Sequence, residues 1–157
     1  MALRRSIRMI RVSRSSKTEL VLPLSLTRVA LRAQLLWLCA TASSLAALYA
    51  VLDPDRVAQA TGEFLVGVNG YSQFYASYVG VRLATAALAY LAAGRRNEPV
   101  LGDLTAMFLL APPAGRLIAA FAIGLPQGFL FAVCSVELLA GLALLALRPP
   151  AQPSRLP

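Results

Sequence analysis

Polar residues in this chain are bunched, and between the bunches run four long apolar stretches, at about 29–52, 74–93, 100–124 and 126–147. Each is close to the ~20 residues an α-helix needs to cross a ~30 Å hydrocarbon layer. Backbone N–H and C=O groups find no water in lipid, so such segments satisfy their hydrogen bonds internally as helices. The pattern predicts an all-α integral membrane protein. Its core is a four-transmembrane-helix antiparallel bundle over 29–147, with a basic amphipathic arm at 1–28 and a tail at 148–157.

Composition sharpens this picture. Of 157 residues, 58% are hydrophobic and 14% charged, against about 45–50% and about 25% in a soluble domain. One domain is expected at this length. The formal net charge of +8 is concentrated at the start, where 1–32 hold eight Lys/Arg against Glu19 alone. A polybasic segment next to a membrane span fits anionic headgroups and topology. No recognition module follows it, so nucleic acid is not an expected partner.

Within the arm, Leu3, Ile7 and Ile10 recur at helical spacing with arginines between them, the pattern of a helix lying flat in the interface. Arg4, Arg5, Arg8, Arg11, Arg14 and Lys17 are then its headgroup contacts. The arm also resembles an organellar transit peptide, being rich in Arg and Ser and nearly free of acids, but it is expected to be retained. The other basic clusters are Arg95 and Arg96 in the 94–99 loop and Arg148 and Arg155 in the tail, whereas the 53–73 loop has Arg56 among Asp53, Asp55 and Glu63. The positive-inside rule puts both termini and the 94–99 loop in the cytoplasm. In the 53–73 loop, Val57, Phe64, Leu65 and Val68 suggest one face of a short helix at the outer surface, stopped by Gly67, Asn69 and Gly70.

Three charges interrupt the apolar stretches: Arg82, Arg116 and Glu137. Ionisable groups at membrane depth are costly and face a partner or a wet cavity. Counted at 1.5 Å per residue, Arg82 and Arg116 lie about 12 Å from the outer end and Glu137 about 16 Å, which suits one shared layer. Tyr71, Tyr75, Tyr78, Arg82 and Thr85 fall on one helical stripe, so Tyr75 and Tyr78 join the candidate layer. Pro112-Pro113 removes two backbone donors nearby. The layer is either a structural ion pair or a ligand site with a surplus cation.

Histidine is absent, which excludes His-ligated haem, His-built zinc sites and Ser-His-Asp chemistry. Cys39 and Cys134 fall in opposite halves of the bilayer, too far apart for a disulfide, and read as buried thiols. No catalytic, metal or cofactor site is expected. Small residues at four-residue steps (Ala42, Ala46, Ala50; Ala76, Gly80, Ala84; Gly124, Gly128) suggest close helix contacts.

The segment NGYSQFYASYVGVRL, Gly115-Arg116, the Gly124-x-Pro126 turn and Glu137 come in an order and spacing that resemble the domain-of-unknown-function 4345 family of bacterial four-helix inner-membrane proteins, over roughly 45–147. One place departs from that pattern: an Arg expected before the aromatic is Gln73 here, with Arg82 deeper. The resemblance implies four helices and a bacterial inner-membrane location and carries no activity with it. The leading functional expectation is a non-enzymatic accessory or scaffold subunit of a larger inner-membrane complex, in contact with anionic lipids and other integral membrane subunits. The alternative is a small membrane enzyme or carrier that binds a lipid, quinone or other anionic or lipophilic ligand at the Arg/Glu layer.

Overall fold

The computed structural model describes residues 16–149 apart from Asn97, with 16–25 as backbone alone. Five helices make up the described chain, which contains no strand: α1 (Ser16–Leu52), α2 (Pro54–Thr61), α3 (Gly67–Gly94), α4 (Pro99–Ile123) and α5 (Gly128–Ala146). Four of them, α1 from Leu26 onward and α3 to α5, are long and apolar enough to cross a membrane. The fold is the expected all-α four-helix bundle.

Around the bundle, α1 packs on α3, α3 on α4 and α4 on α5, while α1 and α5 touch little. The core where they meet is built from small side chains: Ala40 of α1, Ala89, Ala92 and Ala93 of α3, and Ala106 of α4, with Leu36, Leu109 and Leu144 filling between them. Small residues let helix backbones approach closely, which is how helices associate when lipid supplies no hydrophobic driving force. The alanines involved are not those of the expected four-residue stripes. Ala42, Ala46, Ala76, Gly80 and Ala84 are exposed; of that set Ala50 is buried.

At Gly141, α5 crosses α4 most tightly. A methyl group added there would lie 2.6 Å from Leu110 Cγ and 3.2 Å from the Ala106 carbonyl oxygen. The backbone carbonyl cannot swing away as a side chain can. Gly141→Ala is therefore expected to destabilise the bundle by about 1–3 kcal/mol, seen as a lower midpoint in detergent thermal unfolding.

The 53–73 loop departs from its expected form in an instructive way. Pro54 occupies the first turn of α2, where a missing N–H costs nothing, and Asp53 Oδ1 accepts from Arg56 N at 3.2 Å. The helix stops at Gly62, which adopts the left-handed conformation (φ 78°) and returns its N–H to the last turn. Gly67, Asn69 and Gly70 therefore do not end a helix. They begin α3, two turns before the apolar run does. The proposed apolar face dissolves as well: Leu65 is half-buried, but Phe64 is 94% exposed and Val68 85%. What pins α2 is Ala58 packed with Ala50 of α1 and Phe74 of α3.

A π-helical segment, Tyr75–Gly80, is built into α3. It widens the turn by one residue and so shifts the face that everything after it presents. Of the arm expected at 1–28, residues 1–15 lie outside the described residues, as does the end of the tail, while 16–28 are no separate element and run continuously into α1.

Candidate functional site

Arg82, Arg116 and Glu137 meet. Glu137 is held deep between α3 and α4, its side chain 5% exposed. One carboxylate oxygen, Oε2, accepts from Arg116 Nη1 at 2.8 Å. The other, Oε1, faces Arg82 Nη2 as an ion pair without hydrogen-bond alignment. Both guanidinium side chains keep 19% exposure, so they are screened by protein without being sealed. Three helices contribute one charge each, and the trio carries a formal charge of +1.

Arg82 lies farther along its helix than its place in the apolar run implies. Arg116 is seven residues before the end of α4 and Glu137 nine after the start of α5, about 10 and 14 Å. Arg82 is fifteen residues along α3, about 22 Å. The layer still forms because the first turns of α3 stand level with α2, beyond the ends of the neighbouring helices; Tyr71 Oη donates to Asp55 of α2 at 2.7 Å.

The expected tyrosine stripe splits at the π segment. Tyr78 lies beside the trio, stacked on Phe74 at 4.8 Å and donating to Glu63 Oε1 at 2.8 Å. Tyr75 is 38% exposed, set edge-on to Phe74, and lines neither of the cavities next to the trio. Thr85 turns its hydroxyl back to the Val81 carbonyl at 2.8 Å. The extra residue in the turn carries Tyr75 away from the face that Tyr78 and Arg82 share.

Two cavities adjoin the trio. The larger, about 500 Å³, occupies the seam between α1 and α5. Its walls are Ala42 and Ala46 of α1 and Val133 and Val136 of α5, with Thr61 of α2 across its end. Arg82, Arg116 and Glu137 form its charged floor. The smaller, about 250 Å³, lies between α3 and α4 and is lined by Glu63, Ser77, Thr85, Phe108 and Pro112. Tyr78, Arg82, Leu109 and Arg116 belong to both.

Sequence reading missed a second charged trio at the opposite end of the bundle. Arg32 was grouped with the basic arm, yet it is buried inside the bundle at 5% exposure. Its Nη2 donates to Asp103 Oδ1 at 2.5 Å and to the Pro99 carbonyl at 3.3 Å. Arg148 Nε reaches the other Asp103 oxygen at 3.0 Å. Gly102 makes room for this, since an added Cβ would sit 2.8 Å from the Arg32 guanidinium carbon. The available signal was an acid four residues into an apolar helix, matched by an Arg inside the first.

The remaining expected contacts fall elsewhere. Arg4, Arg5, Arg8, Arg11 and Arg14 lie outside the described residues, and Lys17 falls in the first turn of α1. Cys39 lines the larger cavity as a free thiol, and Cys134 is buried in α5. Among the described residues no three His, Cys, Asp or Glu side chains gather as a metal site. No protein-family model, curated protein or solved structure matches the chain.

Proposed function

We propose that this chain is a multi-pass protein of the bacterial inner membrane, with both termini in the cytoplasm, that binds a lipid-like molecule in the seam between α1 and α5. The observation that carries this reading is the larger cavity: about 500 Å³, apolar along its walls and charged at its floor. Ligand sites have this size and this contrast, with a few polar groups fixing orientation in an otherwise hydrophobic pocket. A lipid tail lies along Ala46, Val133 and Val136, and its polar end meets Arg82 and Arg116. Glu137 holds the two guanidiniums at the floor, leaving one positive charge for the ligand.

The test fills the cavity without touching a charge. Ala46→Trp places an indole in the seam from an exposed position of α1. Wild-type chain purified in mild detergent is expected to carry a lipophile in native mass spectrometry, and the variant is expected to stay folded and lose it. Equal occupancy in both, or a wild-type chain that carries none, overturns the reading.

The accessory or scaffold reading is favoured by a different observation. Phe64 and Val68, with Val66 at 78% exposed, form an apolar prominence at the α2 end, of the kind a neighbouring membrane subunit covers. The same purification separates the two readings: a partner protein in stable ratio supports the subunit role, and a lone chain with bound lipophile supports the lipid site. The likeness to the 4345 family belongs to this proposal, and in it Arg116 and Glu137 are the residues that carry both the likeness and the site.

A further inference from the structure

Taking the larger cavity as a lipid-tail site, we infer that the ligand is a zwitterionic phospholipid with a primary ammonium headgroup. Its phosphate sits between Arg82 and Arg116, and its ammonium sits in the smaller cavity near Glu63. The argument begins with the connection between the two cavities. They meet at Tyr78, Arg82, Leu109 and Arg116, so a molecule with its tail in the seam presents its head to the smaller space.

That space is arranged by charge. The cations Arg82 and Arg116 stand at its junction with the seam, and the carboxylate Glu63 stands in its wall. Trio and Glu63 together sum to zero, so a headgroup with one negative and one positive charge matches each part without leaving a residue of either sign. A fatty acid satisfies the arginines and leaves Glu63 unmatched. A quinone offers no charge to either.

The smaller cavity is also rich in acceptors. Pro112 and Pro113 have no N–H, so the carbonyls of Phe108 and Leu109, four residues back, receive no helical hydrogen bond from them. Phe108, Leu109 and Pro112 all line this cavity. Glu63 has its Oε1 engaged by Tyr78 and retains a second oxygen. Two carbonyls without their usual helical donor, on residues that line the cavity, and a carboxylate in its wall suit a head with several N–H donors. A primary ammonium supplies three; a trimethylammonium supplies none. The choice therefore falls on an ethanolamine-type head over a choline-type head.

The experiment uses the full chain delipidated in detergent, then offered phosphatidylethanolamine, phosphatidylcholine, phosphatidylglycerol and a free fatty acid with matched acyl chains. Adducts are read by native mass spectrometry. Wild type is expected to retain the ethanolamine lipid about tenfold over the choline and glycerol lipids, the difference made by about one charge-assisted hydrogen bond. Glu63→Gln, on a connecting segment outside the charged trio, is expected to bind all three phospholipids equally.

No headgroup preference in wild type, a preference for the fatty acid or the glycerol lipid, or an unchanged preference in Glu63→Gln overturns the headgroup assignment while the tail site stands. Absence of every adduct overturns the tail site itself.

Discussion

Glu137→Gln is expected to cost the bundle about 3–5 kcal/mol, the usual penalty for removing one partner of a buried ion pair. The substitution keeps shape, deletes one charge and turns an NH2 donor toward one of the two guanidiniums. It strands two guanidiniums, each four-fifths buried, on helices that hold them against apolar neighbours. The loss is measurable as a lower thermal midpoint in detergent. A triple variant, Glu137→Leu with Arg82→Leu and Arg116→Met, is expected to recover most of that stability, since apolar groups of similar volume commonly replace buried charge without loss. The two measurements answer different questions. A stable triple variant that no longer binds lipid assigns the trio to the ligand, and one that fails to fold assigns it to the architecture.

The second large effect lies at the other end of the bundle. Asp103→Asn is expected to destabilise by about 3 kcal/mol, because Arg32, buried against Gly102, keeps neutral acceptors but loses the carboxylate charge that balances it. Arg148 loses its partner too, but its side chain is 58% exposed and water replaces the carboxylate. Exposed pairs of this kind are worth about 0–1 kcal/mol. Arg148→Gln is therefore expected to shift the midpoint little, and comparing the two variants under identical detergent conditions assigns the energy to α1 and α4.

The same comparison explains what sequence could and could not deliver. Arg82, Arg116 and Glu137 were legible because each interrupts a long apolar run, where an isolated charge stands out. Arg32 is no less buried, but it sits near the start of its run, close in sequence to a cluster of arginines, and position alone does not tell a buried charge from a peripheral one. Only its crossing with Asp103 distinguishes it, and that is a property of two helices.

Tyr75 was misplaced for a different reason. The stripe was read at 3.6 residues per turn, and the π segment from Tyr75 to Gly80 breaks that period where the stripe passes through it. No residue in YASYVG announces such a widening. In the 53–73 loop the local chemistry was present in full, with Asp53-Pro54 as a start and Gly62 as a stop. The apolar residues beyond Gly62 extend the pattern past the true stop, and Gly67 and Gly70, which resemble a helix end, open α3. The helix count depends on length and hydropathy, whereas the wall of the larger cavity depends on which helices pack loosely.

The loose packing between the first and last helices has a consequence for how the protein behaves in its surroundings. A site in such a seam draws its occupant from the bilayer, where concentration is a mole fraction and not a molarity. On the proposed lipid site, a molecule that makes up a large share of the bilayer fills the seam even at modest affinity, and only thorough delipidation empties it. Since anything that binds the folded state adds to its stability by mass action, an occupant of the proposed site would tie the first and last helices together. Its resistance to unfolding then becomes a gauge of the composition of the membrane around it.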